Sequence, residues 1–145
     1  MSSYKHLLVG LDLSPESQQV VDRVKFLFSD SHIKISVCHI LEPLAFTYGG
    51  DIPVDLSDVQ LQLEQQAKER LASICEPLNV ADENQLVILG QPATEMRRLA
   101  RDRDIDLIVV GSHGRHGLAL IFGSTSNSVL HGAPCDVLAV RITDE

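Results

Sequence analysis

Short, strongly apolar segments alternate along this chain with longer segments of helical periodicity. Five apolar segments have the length and composition of buried β-strands, at residues 6–12, 33–41, 85–89, 106–110 and 137–142. The first of them reads Leu7-Leu-Val-Gly-Leu11, apolar without alternation, which is typical of a strand covered on both faces of a parallel sheet. Parallel neighbours need crossover connections, and these are right-handed. The alternation therefore predicts an α/β domain with a parallel sheet and helices on both faces.

The connecting segments have the spacing of amphipathic helices. Apolar residues recur every three or four positions and predict helices at about 15–29, 55–76, 92–102 and 124–131. Ser14-Pro15 predicts the start of the first helix, with serine as N-cap and proline at the first helical position. Pro77 predicts the end of the second. The irregular segment 42–53, with its prolines and glycines, is expected to be a loop of a length that is often functional.

Composition is that of one globular domain. The chain has 145 residues, 44% of them hydrophobic, and chains usually split into domains only beyond roughly 250 residues. Residues 1–145 are therefore expected to form a single domain. Twenty acidic and 12 basic residues give a formal net charge of -8, the wrong sign for a general binder of nucleic acid or anionic membranes.

Targeting and redox signals are also absent from the sequence pattern. No apolar run approaches the roughly 18 residues of a membrane span, and the apolar stretch near the N-terminus is too short for a signal peptide. Cys38, Cys75 and Cys135 are odd in number and form no C-x-x-C motif. They are expected to be reduced, mostly buried thiols, and the protein is expected to be cytoplasmic.

The glycine-rich segment after the fourth strand is the strongest functional signal. It reads Gly111-Ser-His-Gly114-Arg115, and Gly123-Ser124-Thr125 follows before the last predicted helix. Glycines allow the backbone to approach an anion, and a helix N-terminus attracts one. The segment is neither a Walker loop nor the dinucleotide fingerprint. The alternative is a glycine turn that only permits close packing of strand and helix.

The fold class independently points to the same end of the sheet. In open parallel sheets, ligands bind beyond the carboxyl ends of the strands, where the strand order reverses. The predicted carboxyl ends are at Asp12, Ile40-Leu41, Gly90 and Gly111. Asp12 is equally consistent with a turn residue at a helix start and with a ligand contact.

Five segments together resemble the universal stress protein (UspA) family over the whole chain. They are Val9–Ser14, His39–Pro43, Gly111–Gly114, Gly123–Thr125 and Ala133–Arg141. The resemblance implies a five-stranded sheet of order 3-2-1-4-5, of the Rossmann-like, adenine nucleotide alpha hydrolase-like type. It also implies homodimers joined through the last strand, here Val137 to Val140, a role in stress resistance and, in one branch of the family, ATP at the switch point between strands one and four.

The ATP-binding branch has a glycine pattern that this chain nearly matches. The family pattern places about nine residues between its second glycine and a Gly-Ser or Gly-Thr pair, whereas eight separate Gly114 from Gly123 here. Carried over by position, Asp12 would meet the ribose or adenine edge, and Ile40 and Val110 would wall the base. The full set of nucleotide contacts implied by the resemblance is Gly10, Leu11, Asp12, Ile40, Val110, Gly111, Gly114, Arg115, Gly123, Ser124 and Thr125.

The expected function is therefore that of a dimeric, ATP-binding regulator of the stress response, with ADP or AMP as further ligands and with or without Mg²⁺. Two alternatives remain open: a dimeric interaction protein that contacts a client protein without nucleotide, and a slow ATPase or phosphotransferase. Dedicated phosphoryl transfer needs metal-holding carboxylates and a cationic clamp, and only Asp12 lies plausibly at the pocket. No catalytic residue is therefore assigned. The histidines and Cys135 lack metal-ligand spacing, so no metal site is assigned either.

Overall fold

A computed structural model describes residues 4–29, 32–43, 57–113, 129 and 131–143. Along the chain these residues form β1 (His6–Gly10), α1 (Ser17–Phe28), β2 (Lys34–Leu41), α2 (Ser57–Ile74), β3 (Gln85–Leu89), α3 (Pro92–Asp102), β4 (Leu107–His113) and β5 (Asp136–Ile142). Short 3-10 turns at Glu76–Leu78 and Asp82–Asn84 join α2 to β3. Every predicted strand is present. Among the described residues, no helix is both long enough and apolar enough to cross a bilayer.

All five strands are parallel and lie in the order β3-β2-β1-β4-β5. The predicted architecture and strand order are thereby confirmed. The chain runs from β1 outward to β3 on one side and then crosses to β4 and β5 on the other. The strand order reverses between β1 and β4, which is where a ligand site is expected in this class of sheet.

The two faces of the sheet bury separate apolar clusters. On one face, Leu7 and Val9 of β1 pack with α1 and with Leu71 of α2. On the other face, Leu8 of β1 and Ile108 of β4 pack with α3, whose apolar side consists of Ala93, Met96, Leu99 and Ala100. Burial of each large aliphatic side chain stabilises the fold by about 1.5–3 kcal/mol. The carboxyl ends of β1 and β4 lie between these two clusters.

Three element boundaries differ from the sequence prediction in ways that concern the site. Strand β1 ends at Gly10, two residues before the predicted end at Asp12, so Asp12 lies in the turn after it. Helix α1 begins at Ser17, with Glu16 in the N-cap position and no side-chain cap, so the prediction of Ser14 as N-cap is wrong. The hydroxyl of Ser14 instead donates to Asp12. Strand β4 runs to His113, three residues beyond the predicted end at Val110, because residues 111–113 pair with the end of β5.

The predicted loop at 42–53 and the predicted final helix at 124–131 fall mostly outside the described residues. Within the latter range, Val129 and His131 are helical, and Val129 is fully buried in the cluster that also contains Met96 of α3.

Candidate functional site at the ends of strands β1 and β4

A small pocket opens at the carboxyl ends of β1 and β4, beside the start of α1. It encloses about 210 Å³, counting the solvent at its mouth, and is lined by Gly10, Leu11, Asp12, Ser14, Glu16, Ser17, Val20, Gly111 and Ile142. Most of that space is open solvent, so the described residues form a shallow cleft and not an enclosed cavity.

Asp12 is the most strongly held side chain in this pocket. Its Oδ1 atom accepts a hydrogen bond from the backbone N–H of Ser14 at 3.0 Å, from the hydroxyl of Ser14 at 2.6 Å and from the hydroxyl of Ser17 at 2.8 Å. The second carboxylate oxygen, Oδ2, takes part in none of these bonds. Asp12 thus has one oxygen held by the turn, which confirms the turn role that the sequence left open, whereas its contact with a ligand stays a prediction.

The backbone on both sides of Asp12 is also anchored. The N–H of Leu11 donates to the carbonyl of Cys38 at 2.9 Å, and the carbonyl of Leu11 lies 2.8 Å from Nδ1 of His39. On the other side, Nε of Arg70 donates to the carbonyl of Leu13 at 2.6 Å. Leu13 has a φ of 64°, a left-handed conformation that is rare for a branched side chain. These contacts hold the turn between β1 and α1 in one shape.

The charge of the pocket determines which part of a ligand can bind there. Two carboxylates, those of Asp12 and Glu16, and two hydroxyls, those of Ser14 and Ser17, line it, and none of its described lining residues is cationic. A phosphate would be repelled there, since like charges in close proximity are unfavourable. Hydroxyl and amine donors, such as those of a ribose or a purine, would instead be accepted.

Close packing explains why glycine occupies the two positions that line the pocket, Gly10 and Gly111. A Cβ atom at Gly10 would lie 2.5 Å from Cε of Met96, and one at Gly111 would lie 3.2 Å from Cγ2 of Val20 and from Cγ1 of Ile142. Side chains at these positions would force neighbouring groups apart. Close packing, the alternative interpretation of the glycine-rich segment, thus applies at Gly111. It does not conflict with a ligand at the pocket mouth.

The structure does not bring all predicted contacts into this pocket. Gly10, Leu11, Asp12 and Gly111 line it, whereas Ile40 and Val110 lie on the opposite face of the sheet, in the cluster with α3, with 9% and 0% of their surface exposed. Their contact with a base stays a prediction. The remaining predicted contacts lie outside the described residues: Gly114, Arg115, Gly123, Ser124 and Thr125.

Several residues of the site were not predicted from the sequence. Ser17 had a local signal, because it is a hydroxyl residue in the predicted first turn of α1, only five positions after Asp12. Arg70 had none, since 57 positions separate it from Leu13 in the chain. His39, near the end of β2, lies with Nδ1 2.8 Å from the carbonyl of Leu11.

The cysteines do not supply a nucleophile. The side chain of Cys38 lies in the core, where burial raises the pKa of its thiol to about 12. Burial also raises the pKa of the Cys75 and Cys135 thiols. All three are free and Cys38 and Cys75 are buried, as the sequence predicted, so each is protonated at neutral pH and a poor nucleophile.

Comparison with known proteins gives consistent matches along the whole chain. A model of the universal stress protein family matches residues 3–141. Universal stress protein A homolog 2 of Coxiella burnetii is 42% identical over 146 residues, covering 98% of each chain. A solved structure of a universal stress protein family member from Burkholderia pseudomallei is similar with a TM-score of 0.72 at 22% identity, covering 97% of this chain and 98% of that one. A universal stress protein solved in complex with cAMP is similar with a TM-score of 0.63 at 23% identity, covering 96% and 98%.

Proposed function

The chain belongs to the universal stress protein family, and from that premise we propose that it is a cytoplasmic binding protein for an adenine nucleotide. We expect ATP to be the preferred ligand and ADP and AMP to bind more weakly. Mg²⁺ would bind only together with ATP. The observation that carries the proposal is the position of Asp12. Its carboxylate lies at the switch point of the sheet, with Oδ1 held by Ser14 and Ser17 and Oδ2 outside those bonds.

The two halves of a nucleotide have opposite requirements, and the chain offers a suitable group for each. The ribose hydroxyls and adenine amine are donors, which suit the carboxylate of Asp12. The phosphates are anions, which suit the helix N-terminus that the sequence predicts at Gly123-Ser124-Thr125, with Arg115 nearby. The similar protein solved with cAMP is a relative in fold that binds an adenine nucleotide, which supports this class of ligand.

The binding energy required is modest. A micromolar site needs about 8 kcal/mol. Hydrogen bonds that involve a charged group contribute about 1.5–3 kcal/mol each, so one to Asp12 and two or three to the phosphates reach that range, with base burial to offset the entropy of association.

The direct test is to denature the purified protein, identify any released small molecule, and titrate the ligand-free protein with AMP, ADP and ATP by calorimetry. We expect ATP to bind with micromolar affinity and more tightly than AMP. A folded protein that binds none of the three would overturn the proposal. It would favour the alternative of an interaction protein that contacts a client without nucleotide.

We also propose that the protein is a homodimer that pairs through β5. This strand lies at the edge of the sheet, its Val140 and Ile142 belong to the core, and its Ala139 is exposed. An unpaired edge strand exposes backbone donors and acceptors that proteins usually cover, and a two-fold copy is the simplest cover. Sedimentation at micromolar concentration tests this, since a lone 16-kDa species would contradict it.

Catalysis, in this proposal, is at most incidental. The described pocket lining includes the carboxylates of Asp12 and Glu16 but no cationic side chain, and phosphoryl transfer needs a cationic clamp as well as metal-holding carboxylates. We expect any ATP hydrolysis to be far slower than about 1 per second, the low end for typical enzymes. Multiple turnover above that rate, lost in Asp12→Asn, would instead support a phosphotransfer enzyme.

A further inference from the structure

The geometry points to His39 and Arg70 as positioning residues of the nucleotide site, which act on the ligand through the backbone of Leu11 and Leu13. This inference rests on the function proposed above and specifies how the same site is kept in its binding shape. Neither side chain lines the pocket beside Asp12. Each forms a hydrogen bond to the backbone carbonyl of a residue that neighbours Asp12 in the chain, His39 to that of Leu11 and Arg70 to that of Leu13.

The first contact fixes the segment after β1 to β2. Regular pairing of β1 with β2 ends at Gly10 and Cys38, and Leu11 then continues the link by donating its N–H to the Cys38 carbonyl. The carbonyl of Leu11 is held by a side chain instead, because Nδ1 of His39 is 2.8 Å away. A carbonyl oxygen only accepts hydrogen bonds, so Nδ1 carries the proton. His39 thereby fixes the peptide that leads into Asp12.

The second contact holds the peptide between Leu13 and Ser14, one residue beyond Asp12. Leu13 has a φ of 64°, and a non-glycine residue in this region carries a conformational cost that surrounding contacts must offset. Nε of Arg70, from the C-terminal part of α2, donates to the Leu13 carbonyl at 2.6 Å. This bond is made only when the turn has its observed shape. Arg70 therefore favours the conformation that directs the Asp12 carboxylate.

The side-chain bonds of Asp12 depend on the same shape. Its Oδ1 reaches Ser14 and Ser17 across the turn, and a rotation of either flanking peptide would move the carboxylate relative to α1. With both peptides held, Oδ2 has one direction before the ligand arrives. Such preorganisation raises affinity, because less conformational freedom is lost on binding.

Two matched pairs of variants separate the hydrogen bond from charge and bulk. Arg70→Gln keeps an N–H donor at the position of Nε and removes the charge, whereas Arg70→Met keeps a similar shape without a donor. His39→Asn keeps a donor at the position of Nδ1, whereas His39→Leu removes it. All four are titrated with AMP, ADP and ATP by calorimetry, and urea unfolding checks that each is folded.

We expect Arg70→Met and His39→Leu each to weaken binding about two- to tenfold, the range for one net hydrogen bond. The factor should be the same for AMP, ADP and ATP, because Asp12 serves the nucleoside end. Arg70→Gln and His39→Asn should stay within about twofold of the parent protein. The binding stoichiometry should be unchanged, whereas a variant that merely unfolds in part would lose stoichiometry.

Unchanged affinity in the Met and Leu variants, with the parent binding nucleotide, would overturn the inference and leave the proposed function intact. Equal losses within each pair would also overturn it, since the donor would then be irrelevant. A parent protein that binds no nucleotide would instead overturn the proposed function, and the inference with it.

Discussion

Nε2 of His6 lies 2.8 Å from the hydroxyl of Ser36, at the end of the sheet opposite to the candidate site. The two side chains are 8% and 0% exposed. The other ring nitrogen, Nδ1, is 3.1 Å from the carbonyl of Arg103 and must donate to it. When the ring is neutral, its proton is on Nδ1 and Nε2 accepts from the hydroxyl of Ser36. Burial is the main cause that lowers the pKa of His6, against the opposing effects of the Arg103 carbonyl and of Asp106.

From this pair we expect acid to destabilise the fold before the carboxylates titrate. The imidazole of the unfolded chain takes up a proton near pH 6.5, whereas His6 in the folded protein takes it up only at lower pH. The contribution of His6 to stability is thus complete above about pH 6.5 and is lost as the pH falls towards the lowered pKa. Urea unfolding at pH 7.5, 6.5 and 5.5 should show a smaller loss of stability in His6→Gln, which does not titrate.

Ser36→Ala serves as the structural control for this pair. It should lower the free energy of unfolding by about 1–3 kcal/mol, because Nε2 is left buried without its donor. Equal pH profiles for the parent and His6→Gln would show that His6 does not govern the acid response.

The second prediction compares the two glycines of the pocket. Gly111→Ala should lower the free energy of unfolding by about 1–3 kcal/mol through overpacking, because its Cβ would press on branched side chains of Val20 and Ile142. Gly10→Ala should cost less, since the group it meets is the flexible end of Met96. Urea unfolding measures both, and a larger loss in Gly10→Ala would contradict the comparison.

Parts of the fold could be predicted to the residue because their ends are set locally. The bounds of β3 and α3 were predicted correctly from the sequence. At the start of α3, Pro92 occupies the first turn and the side chain of Gln91 accepts from the N–H of Thr94 at 2.8 Å. Both are contacts between neighbours in the chain, which a sequence displays directly.

Other parts depend on partners that are distant in the chain. Residues 111–113 have little strand propensity, yet they extend β4 because they pair with Val140, Arg141 and Ile142 of β5. The β1–α1 turn depends likewise on Arg70, in another helix. The position of the candidate site followed from the alternation of elements, but the anchoring of its turn depends on tertiary contacts that no local pattern indicates.

A third prediction concerns the two oxygens of Asp12. In Asp12→Asn, the amide oxygen can still accept from Ser14 and Ser17, and the amide nitrogen replaces Oδ2. We expect stability close to that of the parent but nucleotide affinity at least about tenfold lower, because a charged acceptor contributes about 1.5–3 kcal/mol. Asp12→Ala should lose both affinity and stability. Calorimetry and urea unfolding of the two variants provide the measurement.

The fourth prediction addresses the phosphate end and rests on the sequence of the glycine-rich segment. Gly123→Val should abolish ATP binding while far-UV circular dichroism stays near that of the parent, because a side chain would fill the space of a phosphate. Ser124→Ala should be milder, with a tenfold to hundredfold loss that corresponds to about 1.5–3 kcal/mol. Equal affinity of the parent for AMP, ADP and ATP would show that this turn does not recognise the terminal phosphates.

The fifth prediction concerns the edge strand. Ala139→Pro removes a backbone N–H from β5 and should weaken the dimer, since proline cannot donate to a ladder. Ala139→Val, which keeps the donor and favours a strand, is the matched control. Sedimentation across a dilution series should show dissociation at a higher concentration for the proline variant alone, and identical curves would argue against pairing through β5.

The register of β4 and β5 links the mouth of the pocket to that edge. Gly111, Ser112 and His113 are paired with Val140, Arg141 and Ile142, so the peptide that enters the glycine-rich segment is held by the outermost strand of the sheet. Coupling of this kind is reciprocal. If a nucleotide and an association through β5 both favoured one arrangement of residues 111–113, each would tighten the other by the same factor. The assembly state of the protein would then report the nucleotide concentration around it.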